Sequence, residues 1–400
     1  MRFTLRGTHL VDATMDRPGD DITVAGAWIE QVGREDGKET QVIEAGGTIT
    51  MPGFIDVHTH GGGGFNLHTT QVHEIQSYAH WIPTTGVTSF LVAVVGTPGA
   101  LPEQQLRTTM SAIEQQGSNA KPEAEILGIH LEGPYINEKR RGAHPTTWLR
   151  TPNEREIQTI LELTQGYLRI ITLAPELPGA EQVIRQLVDA GVTVSIGHTD
   201  ANYEQTQAAI RSGITHATHC FNAMRPLLHR EPGPVAAIAQ VSGVRGELIA
   251  DGIHVDPAMM DMLVRMLGPE RTVIVTDAQA AAGIPNGTFE FAGQRAEVVS
   301  GAARLVDGTL AGSVLTMDCA LRNVLDMTHV SLSEAVRMLT YNPAQAAGVD
   351  TRKGKLHPGY DADLLIFDEH LTLQATLCRG RIAFATSAWR ERLNRIEEGE

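Results

Sequence analysis

Polar side chains that can bind metal ions or carry protons recur where apolar, β-branched runs of this sequence end. They are Asp56, His58, His60, His130, Glu132, His198, His219 and Asp277. Imidazole and carboxylate groups together suit zinc, or iron, cobalt or manganese. Such a metal site lowers the pKa of bound water and polarises a carbonyl group, and a free aspartate beside it, here Asp277, can pass a proton from the water to a departing amine. The residue types therefore predict hydrolysis of an amide or a related C–N bond.

These side chains can act together only if the fold brings distant segments of the chain to one place. The middle of the sequence alternates strand-like runs with helix-like patterns, which is typical of repeated β-then-α units. The strand-like runs are Phe54–His58, Thr88–Val95, Glu125–His130, Arg169–Leu173, Val192–Ile196, His216–Phe221, Gly246–Ala250 and Thr272–Thr276. The helical patterns include Asn153–Leu163, Ala180–Ala190, Tyr203–Ser212, Pro257–Leu267, Met317–Asp326 and Ser333–Tyr341. Eight such units predict a (β/α)8 barrel of the α/β class, with an open doubly wound sheet as the alternative on periodicity alone.

A barrel gathers the carboxyl ends of its strands at one rim, where catalytic groups of such folds converge. Side chains alternate between the two faces of a strand, so His58 and His60 share one face, as do Val275 and Asp277. If the apolar members fill the barrel interior, the polar members point into its mouth. The connection from Asp277 to Leu315 has little helical pattern, and we expect a long loop there with a functional role.

Both ends of the chain contain short strand-like runs separated by turn residues. They are Phe3–Leu5, Ile22–Val24, Trp28–Val32 and Gln41–Ile43 near the start, and Asp363–Phe367, Leu373–Leu377 and Ile382–Phe384 near the end. Neither set could bury a core by itself, so we predict that the two pack together as one small β-sandwich. The predicted domains are residues 1–53 and 346–400 for the two parts of the sandwich and 54–345 for the barrel.

The composition excludes several classes of protein. Its 400 residues include 32 Lys and Arg against 47 Asp and Glu, a net charge of −15, which argues against sequence-independent nucleic-acid binding. No apolar run approaches the length of a membrane span, and the first residues do not resemble a secretion signal, so neither is expected. The three cysteines, Cys220, Cys319 and Cys378, are too scattered for a disulfide framework and fit a reducing cytosol.

Longer motifs carry a resemblance to a known family. They are Pro52–Gly61 (with Phe-Ile-Asp-Val-His-Thr-His), His130–Pro134, Gly142–Pro145, Gly197–Thr199, Thr218–Met224, Arg230–Gly233, Asp251–Asp256, Thr276–Ala278 and Leu310–Ser313. Over nearly the whole chain the sequence resembles the amidohydrolase superfamily, and within it the enzymes that deacetylate amino-sugar 6-phosphates. His-x-His alone is a weak signal, whereas Glu132 in His-Leu-Glu-Gly-Pro combined with His-Cys-Phe-Asn-Ala-Met is specific.

The resemblance implies a role for individual residues. Glu132, His198 and His219 bind the primary metal, and Asp277 is the general acid and base. His58 and His60 occupy a second-metal position that some members keep and others replace, so each subunit binds one or two ions, with zinc favoured. Positions that match substrate contacts are Ala143, His144, Asn222, Ala223, Arg230, His254, Leu310, Ala311 and Gly312. The implied substrate is N-acetyl-D-glucosamine 6-phosphate, cleaved to the amino sugar phosphate and acetate in amino-sugar catabolism. A homodimer is implied too, in which Arg230 can pair with the phosphate in a neighbouring subunit's pocket.

Three alternatives remain open from the residues alone. The substrate could be the galactosamine epimer, which differs at one hydroxyl group. Another amidohydrolase activity, on an N-acyl or cyclic amide, is the second; many cyclic-amide members use a carboxylated lysine at a strand end, and no lysine here follows a predicted strand. A non-catalytic barrel with a structural metal is the third, although a closed structural site has no need of a free carboxylate beside it.

Overall fold

The strands of the protein fall into two large sheets and two small ones in the computed structural model, which describes residues 2–34, 41–117, 121–284, 287–291 and 293–397. In chain order they are β1 (Arg2–Asp12), β2 (Met15–Ala25), β3 (Trp28–Val32), β4 (Gln41–Glu44), β5 (Thr48–Pro52), β6 (Phe54–Thr59), β7 (Gly61–Gly62), β8 (Phe65–Asn66), β9 (Val87–Val95), β10 (Glu125–Glu132), β11 (Leu168–Leu173), β12 (Thr193–Ile196), β13 (His216–Ala217), β14 (Arg245–Ile249), β15 (Thr272–Val275), β16 (Thr288–Phe291), β17 (Gln294–Val299), β18 (Ala302–Leu305), β19 (Leu364–Asp368), β20 (Leu373–Cys378) and β21 (Arg381–Ala385). The helices are α1 (Val72–Trp81), α2 (Glu103–Gln115), α3 (Glu154–Thr164), α4 (Ala180–Asp189), α5 (Tyr203–Arg211), α6 (Gly233–Ala239), α7 (Pro257–Leu267), α8 (Met317–Met327), α9 (Leu332–Leu339), α10 (Tyr341–Ala346) and α11 (Ser387–Glu397).

The predicted barrel is confirmed. Its eight strands pair in the order β15-β14-β13-β12-β11-β10-β9-β6, and every pairing is parallel. Beyond the two end strands, the backbone N–H of Asp277 donates a hydrogen bond of 2.8 Å to the carbonyl of His58, and Thr276 Oγ1 donates to Asp56. These contacts close the sheet on itself, so the open doubly wound alternative does not hold.

The barrel strands were recognisable because parallel strands are buried on both faces and read as continuous apolar runs. All nine residues of β9 are buried, for example. The run predicted over His216–Phe221 is wrong in length, since β13 has only two residues. The reason is local: His219 and Phe221 have positive φ angles of 27° and 75°, which cannot continue a strand.

The second large sheet takes its strands from both ends of the chain, as predicted, in the order β21-β20-β19-β5-β1-β2-β3 with β4 on β1. Strands β5 and β19 join the two ends, with Met51 opposite Leu365. A core of its own includes Phe3, Leu5 and Leu364. The chain passes from this sheet to the barrel between β5 and β6, and the domain bounds given above stay a prediction.

The long connection after the last barrel strand, which was expected to be a loop with little helix, has β structure of its own. It contains β16, β17 and β18, which form an antiparallel three-stranded sheet. A small core of Ala281, Val298 and Ala303 supports this sheet. The strands are short and largely solvent-exposed on one side, so they lack the apolar runs that mark the barrel strands.

Two features of the chain bear on the expectations about membranes and disulfides. Within the described ranges, no helix is both long enough and apolar enough to cross a membrane. Cys220, Cys319 and Cys378 are all free thiols. A cytosolic location stays a prediction.

A buried ionic cluster joins the start of β10 to the approach to β19, at the opposite end of the barrel from the cavity described below. Lys353 is 3% exposed, and its Nζ lies 2.9 Å from Glu125 and 2.8 Å from Asp361, with Asp363 also in contact. Removing one partner of a buried ion pair leaves an uncompensated charge, so we expect Lys353→Met to lower the free energy of unfolding by about 3–5 kcal/mol. Denaturant titration measures this. Lys139→Met, at a side chain that is 78% exposed, is the control and should change little; equal stability of the two variants would contradict the assignment.

Candidate active site

A cavity of about 400 Å³ opens where the barrel strands end. Its lining residues are His60, Glu132, Gly142, Ala143, His144, His198, His219, Asn222, Ala223, His254, Asp277, Arg304, Thr309, Leu310 and Gly312. Three residues of the predicted set lie outside this lining. His58 is fully buried below the cavity floor, Ala311 is buried behind it, and Arg230 is exposed in the loop before α6.

The three predicted primary ligands converge although they are far apart in sequence. Glu132 is the last residue of β10, while His198 and His219 follow β12 and β13 by two residues each. Glu132 Oε1 lies 3.0 Å from His198 Nε2 and 3.1 Å from His219 Nε2, and the two Nε2 atoms are 3.2 Å apart. All three side chains are buried.

The position of the proton on His198 shows which of its two ring nitrogens can bind a cation. Its Nδ1 lies 2.7 Å from the carbonyl of Arg140, which can only accept, so Nδ1 carries the proton of the neutral ring. Burial lowers the pKa of His198 to about 4, which keeps the ring neutral. The lone pair of Nε2 then faces a carboxylate oxygen and a second imidazole nitrogen. A cation among these three atoms would satisfy them.

A second group of possible ligands comprises His58, His60 and Asp277. Asp277 Oδ1 lies 3.1 Å from His60 Nε2 and 3.8 Å from His58 Nε2. His58 Nε2 is buried without a hydrogen-bond partner among the described residues. Histidine and carboxylate ligands fit zinc, iron, cobalt or manganese, so the donor set suits one ion or two.

The electrostatics of the site favour additional positive charge. Burial would lower the pKa of His60, but its hydrogen bonds to Asp277 and Glu132 outweigh burial and raise that pKa to about 9. Burial would likewise raise the pKa of Asp277, but the charge of His58 and the hydrogen bond from His60 lower it to about 2. The carboxylates therefore stay ionised at neutral pH and attract positive charge. A protonated histidine or a divalent metal ion can supply that charge.

Three of these residues have strained backbone conformations. His198, His219 and Asp277 have φ angles of 47°, 27° and 47°, in the left-handed region that non-glycine residues rarely adopt. Each such conformation costs on the order of 1–3 kcal/mol and persists where the surroundings hold it, often at functional sites. Here the N–H of Asp277 donates to His58 and its carbonyl accepts from Ser313. His198, His219 and Asp277 all line the cavity.

The remaining predicted contacts form the walls of the cavity. His144 Nε2 lies 3.3 Å from Glu132 Oε2, next to the proposed primary ligands. His254 is held by Asp251, whose carboxylate lies 2.6 Å from its Nδ1. Among the described residues, Asn222 Nδ2 donates one long hydrogen bond, 3.4 Å, to the carbonyl of Cys220. These groups leave polar atoms available to a ligand beside the metal candidates.

Several residues that the sequence did not single out belong to this region. Arg304 and Thr309 line the cavity, from the small sheet formed by β16, β17 and β18 and the turn after it. Glu247 lies beneath the floor, fully buried, within reach of His58 and His216. A charged residue inside the apolar run Gly246–Ala250 was the signal that could have found it. His130 is no free ligand, because Val57 and Thr172 occupy both its ring nitrogens.

Residues 49–390 match the amidohydrolase family, to which the chain therefore belongs. The chain is also similar to particular enzymes that act on amino-sugar 6-phosphates. An N-acetylglucosamine-6-phosphate deacetylase from Lysinibacillus sphaericus is 38% identical over 348 residues, covering 86% of this chain and 88% of that protein. An N-acetylgalactosamine-6-phosphate deacetylase from Escherichia coli O157:H7 is 36% identical over 342 residues, covering 86% and 89%.

Solved structures agree with the sequence comparison. A mutant N-acetyl-D-glucosamine-6-phosphate deacetylase from Mycobacterium smegmatis, in complex with N-acetyl-D-glucosamine-6-phosphate, superposes with a TM-score of 0.88 at 35% identity. The match covers 96% of this chain and 99% of that one. The enzyme from Pasteurella multocida gives a TM-score of 0.90 at 30% identity, covering 96% and 100%. Both likenesses extend over the barrel and the sheet built from the two chain ends.

Proposed function

We propose that this chain is a metal-dependent hydrolase that removes the N-acetyl group from N-acetyl-D-glucosamine 6-phosphate. The observation that carries the proposal is the convergence of Glu132, His198 and His219 on one point beside Asp277, inside a cavity large enough for a small sugar. The products are acetate and D-glucosamine 6-phosphate. The relatives and solved structures described above support this substrate over other amides.

The metal-binding residues are Glu132, His198 and His219, with His58 and His60 for a second ion. When bound, a divalent ion supplies Lewis-acid chemistry: it polarises the acyl carbonyl and increases the acidity of water. Zinc is the ion we favour, and the same donors accept iron, cobalt or manganese. One zinc ion per chain at Glu132, His198 and His219 is the minimum that the chemistry needs.

Asp277 moves the proton. Its carboxylate is ionised at neutral pH and accepts a proton from the attacking water. The same group then protonates the amine nitrogen as the C–N bond breaks, which returns Asp277 to its starting state. His60, 3.1 Å from Asp277 Oδ1, holds that carboxylate in place, and His144 is close enough to the site to donate a hydrogen bond to the acyl oxygen.

Acetate release from the sugar phosphate tests the proposal directly. We expect turnover of N-acetyl-D-glucosamine 6-phosphate by the purified full-length chain, its loss after treatment with a chelator, and its return on adding zinc. The galactosamine epimer is the comparison substrate, since a relative of similar identity acts, by its name, on that compound. Faster turnover of the epimer would move the proposal to the alternative substrate, and no acetate from either would refute it.

The phosphate group needs a cationic partner, and the cavity offers one from its own chain. Arg304 is the one arginine or lysine among the described lining residues, and its Nη1 donates 2.9 Å to the carbonyl of Gly308. Arg230 lies outside the cavity of its own chain, beside Leu228, which is 52% exposed. We propose that Arg304 contacts the phosphate from within the chain and that Arg230 reaches it only from the second subunit of a homodimer.

Arg304→Gln is expected to raise KM for the phosphorylated substrate about 10–100-fold with little change in kcat. A charged hydrogen bond contributes roughly 1.5–3 kcal/mol, and turnover of unphosphorylated N-acetyl-D-glucosamine should not change because it lacks that contact. Steady-state kinetics on both sugars measure the difference. Arg295→Gln, on the neighbouring strand β17 but outside the cavity lining, is the matched control. An unchanged KM in Arg304→Gln combined with a raised KM in Arg230→Gln would assign the phosphate to the second subunit alone.

A further inference from the structure

A buried carboxylate beneath the cavity floor has no part in the chemistry described so far. Glu247 lies on β14 and is fully buried. Its Oε2 accepts from His58 Nδ1 at 2.9 Å and from the backbone N–H of His219 at 3.0 Å, while Oε1 accepts from His216 Nε2 at 3.1 Å. One carboxylate oxygen therefore joins a residue of the second ligand group to a residue of the first.

These contacts fix how His58 presents its ring. Because the Glu247 carboxylate only accepts hydrogen bonds, Nδ1 of His58 carries a proton, which leaves Nε2 as the ring atom that can bind a metal ion. That Nε2 lies 3.6 Å from Glu132 Oε1 and 3.8 Å from Asp277 Oδ1. The ring of His130 packs against His58 with centroids 4.4 Å apart, which limits rotation away from the site.

A histidine that binds a metal commonly donates its other N–H to a carboxylate, which sets the tautomer and strengthens the ligand. His58 and Glu247 have this arrangement. His60 and Asp277 complete a group whose ligand atoms lie within 4.8 Å of one another.

We propose that Glu247 is a positioning residue for a second metal ion: it holds His58 with Nε2 toward His60 and Asp277, and this contact determines how tightly the second ion binds. The proposal rests on the metal dependence of the proposed function and deepens it. It concerns the affinity of the second ion and not the occupancy of the Glu132 site. The other oxygen of Glu247 accepts a hydrogen bond from His216, which is buried in the barrel interior.

Titrating Zn²⁺ into the metal-free full-length chain by calorimetry, with metal content measured independently, tests this role. We expect wild type to bind two equivalents. Glu247→Met, which removes the acceptor, should raise the Kd of the weaker equivalent about 10–100-fold and affect the tighter one less. Glu247→Gln keeps one acceptor oxygen and should show a smaller change. His216→Leu disturbs the same buried network from its other side, and should lower Tm while both ions remain bound.

The outcomes separate positioning from a general structural role. A single equivalent in wild type overturns the proposal, and so does equal weakening of the second ion by Glu247→Met and His216→Leu. If Glu247→Met does not fold, Glu247→Gln decides: an unchanged Kd for the second ion overturns the proposal. Binding of two ions without acetate release from either sugar phosphate refutes the proposed function and leaves the role of Glu247 intact.

Discussion

Asp277→Asn should lower kcat for acetate release by about 10²–10⁴-fold while zinc stays bound at Glu132, His198 and His219, because the amide cannot accept a proton from the attacking water. KM should change much less, since Asp277 acts on the reacting atoms and the sugar and phosphate contacts lie elsewhere in the cavity. The side chains are nearly the same size, so the fold and the primary ligands should persist. Steady-state kinetics and metal analysis of the same preparation measure these quantities.

The matched control for this variant is His254→Asn, at another buried polar residue of the cavity wall. It should act mainly on KM, because His254 is 6% exposed, is held by Asp251, and is not part of either ligand group. Near-normal kcat in Asp277→Asn with zinc bound would remove Asp277 from the proton-transfer role. Loss of zinc from the Glu132 position in this variant would instead place Asp277 among the ligands of the primary ion.

Glu132→Gln is expected to abolish measurable zinc binding at the primary position and lower kcat/KM by at least about 10³-fold. Glu132 is the one acidic side chain that contacts both His198 and His219 among the described residues, so its loss removes the negative charge of the primary metal position. A Lewis acid contributes several kcal/mol to amide hydrolysis, and each 1.36 kcal/mol corresponds to a factor of ten. Metal content and kinetics with added zinc measure both effects.

A thermal shift gives a second readout that does not depend on activity. Zinc at 100 times its Kd should stabilise wild type by about 2.7 kcal/mol, and it should stabilise Glu132→Gln far less. Glu125→Gln is the control: this glutamate lies at the other end of β10, where it pairs with Arg352 and Lys353. It should lower Tm yet keep the zinc response. A full zinc response in Glu132→Gln would show that the primary ion is held by other residues.

Much of the fold could be predicted from sequence because local patterns carried it. Parallel barrel strands are buried on both faces, so Val87–Val95 and Glu125–Glu132 stand out as apolar runs. Helix α7 was predicted with its observed bounds, Pro257–Leu267, and the structure shows the local signals at its ends: the Asp256 side chain caps its start and Gly268 follows its end. The strands β16, β17 and β18 were missed, since short strands with exposed polar faces have no such pattern.

The sequence by itself determined which residue types stand at the strand ends and, with the barrel inferred, that they would meet at one rim. Only the tertiary structure decided which side chains line the cavity, that Arg304 enters it and Arg230 does not, and that Glu247 supports His58 from below. The spacing of apolar residues along the sequence indicates which face of a strand or helix is buried, because burial repeats with the geometry of that element. The pairing of His58 with Glu247 joins positions 189 residues apart, and no local pattern encodes a distance that depends on how the barrel closes.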